Sequence, residues 1–295
     1  MRGSIIILNW NGEGMLRQYL PSIVSCTPEE CELIVADNGS TDKSIEILQK
    51  EFPSVKIIQL DKNYGFAEGY NRAIAEIDSE YTVLLNSDVE VTDGWLDTLL
   101  DYMDSHPEVA AVQPKIRSWK NREYFEYAGA AGGYLSWLGY PYCRGRKFGR
   151  VERDKGQYDS IVNVDWTSGA CMCVRTKIYK DLGGLDGAFF AHQEEIDLCW
   201  RMRNKGYLLA CVPQSVVYHL GGGSLSYDNP RKTYLNFRNN LLMIYKNKQY
   251  RFGVLFIRFF LDYAACLMYV CLGKFDSAKA VIAARRDYLR MRKGY

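Results

Sequence analysis

The feature that most limits the fold of this chain is an alternation near its start. Four short apolar runs, residues 4–8, 32–36, 55–60 and 81–85, read as buried strands. Between them, residues 15–25, 44–52 and 67–77 space their apolar positions as helices do. Strands that alternate with helices at this spacing build a parallel sheet covered on both faces. Ligands of such sheets bind beyond the carboxyl ends of the strands.

Those strand ends are chemically unusual. They read Asn9-Trp10-Asn11-Gly12, Asp37-Asn38-Gly39-Ser40-Thr41-Asp42, Asp61-Lys62-Asn63-Tyr64-Gly65-Phe66 and Asn86-Ser87-Asp88. One polar cluster is a turn. Four on one sheet edge are better explained by a polar ligand such as a nucleotide. Asp37 can accept from a base N–H or a ribose hydroxyl; it can equally form an Asx-turn, since Thr41 or Asp42 can cap the next helix. Asp88, at the end of a buried strand, is a candidate ligand for a divalent metal that shares its shell with phosphate and water.

Three later motifs add chemistry. Glu194-Glu195-x-Asp197 opens a helical stretch, 194–205, after an aromatic and glycine-rich approach. Acids in a first turn are commonly there for the helix dipole, but this approach suggests a pocket floor. His219 closes an apolar run and precedes Gly221-Gly222-Gly223-Ser224, which suits a ligand or a lid. Residues 117–160 are rich in Gly, Tyr, Trp and Arg and read as loops or a hairpin that walls a site. Residues 162–175 and 208–212 read as strands.

Charge is uneven. Residues 231–295 hold 14 Lys and Arg against three acids, an excess of +11, which leaves −9 on the first 230. A basic tail on an acidic body implies an anionic partner, nucleic acid or a membrane surface. The same tail holds the most apolar stretch, 251–273, long enough to span a bilayer. Arg258 and Asp262 lie four apart within it and can pair on one face. Central charges argue for an interfacial or packed helix. With that stretch, the membrane is the expected partner and nucleic acid is not. The nine cysteines lack metal-site spacing and read as reduced core thiols. The start shows no secretory leader, because residues 4–8 are apolar for too few positions. A dinucleotide oxidoreductase would carry Gly-x-Gly-x-x-Gly after strand one, and Asn9-Trp10-Asn11-Gly12-Glu13-Gly14 does not fit.

From residue 4 to about 247 the chain resembles glycosyltransferase family 2, in its bacterial rhamnosyltransferase-like branch with the GT-A fold. The motifs that carry the resemblance occur in order: Ile7-Leu8-Asn9-Trp10-Asn11-Gly12, Val35-Ala36-Asp37-Asn38-Gly39-Ser40-Thr41-Asp42, Asn63-Tyr64-Gly65-Phe66-Ala67 with Asn71, and Leu84-Leu85-Asn86-Ser87-Asp88. Then come Thr167-Ser168-Gly169-Ala170, Gly183-Gly184-Leu185-Asp186, Glu194-Glu195-Ile196-Asp197-Leu198-Cys199-Trp200-Arg201 and Tyr218-His219.

The resemblance implies a fold and roles. The fold is α/β: a Rossmann-like, mainly parallel sheet flanked by helices, with a helical C-terminal extension. Residues 1–225 form the catalytic domain, 1–112 its nucleotide-binding half and 113–225 its acceptor-binding half; 226–295 form the basic extension. The donor, a dTDP- or UDP-sugar, meets Asn9, Asn11, Asp37, Asn38, Ser40, Asn63, Gly65, Asn71, Asn86 and Ser87. Mg2+ or Mn2+ rests on Asp88 and His219, with Asn86 at the first position of the Asp-x-Asp-type motif. Glu195 is the catalytic base, one methylene longer than the family's usual Asp. Trp166, Asp186, Glu194 and Asp197 face the acceptor. The implied activity is inverting transfer to a saccharide acceptor, lipid-linked, in surface polysaccharide synthesis, by a cytoplasmic enzyme peripheral to the inner face of the cell membrane through its extension. The alternatives are a catalytically dead membrane scaffold of the same fold and a nucleotidylyltransferase, whose Gly-rich basic first loop is absent here.

Overall fold

The computed structural model describes residues 1–147, 149–221 and 229–295. The Gly222–Ser224 part of the glycine loop after His219, and the expected boundary at 225/226, lie outside the described residues.

Strands β1 (Gly3–Asn9), β2 (Cys31–Asp37), β3 (Lys56–Gln59) and β4 (Tyr81–Leu85) alternate with helices α1 (Glu13–Ser25), α2 (Ser44–Glu51) and α3 (Gly65–Ala75). They pair in parallel in the order β4-β1-β2-β3. The core strands obey a period of two. Ile6, Ile34 and Leu84 face the layer of α3, and Ile5, Ile7, Val35, Val83 and Leu85 face α1 and α2. Each such side chain, fully buried, contributes about 1.5–3 kcal/mol relative to exposure.

The sheet continues past β4 with mixed pairing. After β5 (Val89–Val91) and α4 (Trp95–Ser105) comes the long β6 (Val109–Ser118). The chain then forms a hairpin of β7 (Gly133–Leu135) and β8 (Pro141–Cys143), and a smaller one of β9 (Arg146–Lys147) and β10 (Arg150–Val151). The expected single strand over 162–175 is two: β11 (Val162–Asn163) pairs with β13 (Leu208–His219), and β12 (Cys171–Arg175) runs between β4 and β6. The turn between them is held away from any ladder. Ser168 N–H donates to Gln113 Oε1 at 2.9 Å, and Ser168 Oγ to the Ala128 carbonyl at 3.1 Å. The strand expected over 208–212 runs on to His219 through an irregularity between Val212 and Val216.

Helices α5 (Thr176–Asp181), α6 (Glu194–Asn204) and α7 (Pro230–Asn247) cover the α3 face of the sheet. Leu241, Leu242, Met243 and Ile244 of α7 are part of that main core. Helices α8 (Arg251–Cys271) and α9 (Phe275–Met291) pack beside α7.

Candidate active site

At the end of β1, Asn9 stands opposite Asp37 of β2 and is fully buried. Its Nδ2 donates to Asp37 Oδ1 at 3.1 Å and to Ser40 Oγ at 3.3 Å. The Ser40 N–H donates to Asp37 Oδ2 at 2.9 Å, and Ser40 Oγ accepts from the Asn11 N–H at 2.9 Å. Asn11, in left-handed backbone with φ 50°, accepts from the Thr41 N–H at 2.7 Å. This net fixes the rim before any ligand arrives. Each Asp37 oxygen accepts one of these hydrogen bonds and keeps a lone pair.

Three of the asparagines expected at the donor also hold loops. Asn38 Nδ2 donates to Asn63 Oδ1 and the Gly65 carbonyl, and its Oδ1 accepts from the Tyr64 N–H. Asn63 Oδ1 also accepts from the Gly65 N–H. Asn71 accepts from Tyr179 Oη and the Leu185 N–H and donates to the Leu185 carbonyl. All three tie loops together, Asn38 buried, Asn71 half-buried and Asn63 exposed. Gly65 has φ 78°, and a Cβ there would come within 2.7 Å of the Phe190 ring, so its role is close packing.

Asp88 and His219, 131 residues apart, meet because β5 follows Asp88 directly and pairs Val89 with His219. His219 Nε2 lies 3.0 Å from Asp88 Oδ1 and 3.4 Å from Asn86 Nδ2; Ser87 is half-buried between the latter two in sequence. Behind the ring, Glu126 Oε1 is 3.7 Å from Nδ1. Burial works against charge on the imidazole, but the hydrogen bond to Asp88 and the nearby carboxylates of Asp88 and Glu126 outweigh it and push its pKa up to about 10. Burial likewise opposes ionisation of Asp88, and His219 more than offsets it, so Asp88 sits below the usual carboxylate range. Adjacent donors of an octahedral cation with ligand distances of ~2.1 Å lie roughly 3 Å apart. The Asp88–His219 pair meets that spacing. Among the described residues no three His, Cys, Asp or Glu cluster as a complete cation site, so such an ion would take its other ligands from phosphate and water.

Glu195 opens α6 on the far side of the same rim. A Cβ built on Gly169 would stand 3.6 Å from Glu195 Cδ and 3.5 Å from Phe66 Cζ. Next to Gly169, the Ala170 carbonyl accepts from the Asn86 N–H at 3.0 Å. The 167–170 turn therefore joins the carboxylate–histidine pair to Glu195. Glu195 Oε2 and Glu194 Oε2 are buried without partners. Burial raises Glu195 to about 7. Burial, and then the charge of Glu195, lifts Glu194 well above the usual range.

The loop that delivers Glu195 is strained. Phe190, His192 and Gln193 have φ of 65°, 71° and 70°. Such residues cost about 1–3 kcal/mol each and persist only where surroundings over-determine them. Here α7 does so. Asn239 Nδ2 donates to the carbonyls of Phe189, Ala191 and His192 at 3.2, 2.9 and 2.7 Å. Arg238 Nη2 donates to the carbonyls of Ala188 and Phe189, and Asn240 Nδ2 to Gln193 Oε1. Sequence reading missed these three and Glu126. The available signal was Arg238-Asn239-Asn240, a charged and amide triplet beside the apolar run 241–244. Asn239→Ala is expected to lower kcat roughly 10²-fold through misplacement of Glu195, with nucleoside-diphosphate affinity retained. Steady-state kinetics beside a nucleotide titration checks this.

The residues expected at the acceptor have partners within the fold. Asp197 is fully buried and accepts from Arg201, Lys246 and Asn247. Asp186 accepts from Lys246, Tyr295 and the Ala188 N–H. Trp166 is buried against Gly133 and donates to the Tyr134 carbonyl at 3.0 Å. All three thus tie elements of the fold together through these atoms. Glu194 is 4% exposed and offers an acceptor little surface.

The fold is that of the GT-A glycosyltransferases. The crystal structure of GalNAc-T7 with UDP, GalNAc and Mn2+ is similar at TM-score 0.62 and 16% identity, over 83% of this chain and 47% of that one. The mannosyltransferase PcManGT from Pyrobaculum calidifontis, in complex with GDP-Man and Mn2+, is similar at TM-score 0.59 and 12% identity, over 98% of this chain and 87% of that one. The chain belongs to glycosyl transferase family 2, whose model matches residues 4–183, and it is a glycosyltransferase. Among curated relatives, the N-acetylglucosaminyl-diphospho-decaprenol L-rhamnosyltransferase of Mycobacterium tuberculosis is 26% identical over 76% of this chain and 78% of its own length.

Proposed function

We propose that the enzyme transfers a hexosyl group, rhamnosyl in the first instance, with inversion from a dTDP- or UDP-sugar to a lipid-linked saccharide in surface polysaccharide synthesis, at the inner face of the cell membrane. The observation that carries this reading is Glu195: a buried carboxyl without a hydrogen-bond partner on Oε2, its pKa near 7, on a clamped loop one turn from the Asp88–His219 pair. A base works best when its pKa lies near the working pH. The mycobacterial relative's name, with its rhamnosyl donor and polyprenol-linked acceptor, supports the substrate classes.

Asp37, Asn9, Asn11 and Ser40 hold the nucleoside. Asp88 and His219 hold Mg2+ or Mn2+, and Glu126 sets the ring, as carboxylates do for metal-bound histidines. When bound, the cation neutralises charge on the departing diphosphate. The acceptor oxygen attacks the anomeric carbon as its proton passes to Glu195. The bond from that carbon to the diphosphate oxygen breaks on the opposite face, and the nucleoside diphosphate leaves with the electron pair.

Thermal-shift titration with dTDP, UDP and GDP in the presence of Mn2+ tests the donor. The preferred nucleotide at 100 times its Kd is expected to add about 2.7 kcal/mol of stability. dTDP is expected to rank first, followed by radiolabelled transfer from dTDP-rhamnose to a polyprenol-diphosphate sugar. Stabilisation by none of the three would overturn the reading.

A further inference from the structure

We infer that the outward faces of α8 and α9, with the tip of the β7–β8 hairpin, form a docking surface for an anionic lipid bilayer. The inference rests on the proposed transferase and names the side from which its acceptor arrives.

Helix α8 is amphipathic in the reverse sense. Its buried residues are Val254, Arg258, Asp262 and Cys266, one every fourth position. The two charged ones are 1% and 0% exposed. Arg258 donates to Asp262, Asn240 and the Leu138 carbonyl, and Arg285 of α9 closes the network on Asp262 at 2.5 Å. The opposite face is left with Phe252, Phe256, Phe260, Leu267 and Met268, each more than half exposed. A helix at home in water keeps its charges out and its phenylalanines in. This one turns its charges to the protein and its apolar side outward, over a patch far larger than scattered surface residues make.

Helix α9 supplies charge complementarity. Phe275, Ile282 and Leu289 are exposed at seven-residue intervals, Lys279 and Arg286 follow the first two by four, and Lys293 lies just past the helix end. On a helix this sets a basic rail beside an apolar stripe, the pattern of helices that lie in a membrane interface. From 272 to 293, the exposed charged residues are Lys274, Lys279, Arg286, Arg290 and Lys293 against Asp276 alone. That imbalance favours an anionic bilayer over an apolar protein partner.

The hairpin belongs to the same surface. Its tip is bound to the helices through Arg258 to Leu138 and Asn240 to Gly139. Trp137 projects there at 65% exposure with Tyr140 beside it. Trp and Tyr settle at headgroup depth. At its other end, the Gly133 N–H donates to the Trp166 carbonyl, three residues from Gly169 and so from Glu195. Four extended residues span about 13 Å. The hairpin thus runs from the base to the lipid-facing side, the path a lipid-borne acceptor would take.

Cosedimentation of the full chain with phosphatidylcholine vesicles, with and without phosphatidylglycerol, tests this. Binding is expected to be roughly 10²-fold tighter with phosphatidylglycerol, and to weaken with salt. Lys279→Glu with Arg286→Glu and Lys293→Glu is expected to remove that preference. Phe256→Glu with Phe260→Glu is expected to abolish binding while nucleotide-induced thermal shift stays as in the parent. Three results would overturn the surface: no binding by folded protein at low salt, unchanged binding by the phenylalanine variant, or a concentration-dependent dimer that the same variant dissolves. Vesicle binding that persists while no label passes to a polyprenol-diphosphate sugar would instead sink the proposed acceptor and leave the surface standing.

Discussion

Glu195→Gln is expected to depress kcat by roughly 10²–10⁴ and leave nucleotide affinity nearly unchanged. The substitution keeps size and removes the proton acceptor. Glu195 lies against Gly169, across the 167–170 turn from the Asp88–His219 pair. The parent should also show an acid limb. A base must be ionised to take a proton, and burial raises this one to about 7. Below that pH, kcat should fall about tenfold per unit, and above it should level off. Burial and the charge of Glu195 lift Glu194 as well, so Glu194→Gln is the control that assigns the limb. The limb should vanish in Glu195→Gln. A crippled Glu194→Gln beside a mild Glu195→Gln would reverse the two assignments.

Chelation with EDTA is expected to abolish transfer, with Mn2+ or Mg2+ restoring it, and Asp88→Ala should cost roughly 10³-fold or more. Asp88 sits 3.0 Å from His219 Nε2, and its removal leaves the imidazole as one donor where two stood. Donor affinity should fall with rate, because the diphosphate shares the ion. That distinguishes this variant from Glu195→Gln, which spares binding. Full activity in EDTA, measured by label transfer, would remove the metal from the scheme and leave Asp88–His219 as a fold-bracing ion pair.

The first half of the chain was the legible half. Strands β1 to β4 announce themselves through local signals, a short buried run and then a turn cluster, and their order needs no distant partner. The acceptor side was harder. Asp197 in Glu-Glu-x-Asp looks like a first-turn acid, yet its partners Lys246 and Asn247 come some 50 residues later. Asn71 follows the pattern of a ligand residue but answers the backbone of Leu185, 114 positions on. The strand expected over 162–175 failed because each piece pairs with a different neighbour. Such choices are made by tertiary contacts, which no local period encodes.

The left-handed backbone at Phe190, His192 and Gln193 bears on how this chain can be improved. Glycine at any of the three would relax the loop, and a search for thermal robustness would reward it. The same relaxation would free the peptide that aims Glu195. Heat tolerance and turnover therefore compete over three codons within a run of four, and a hardened variant should take its gains elsewhere in the chain.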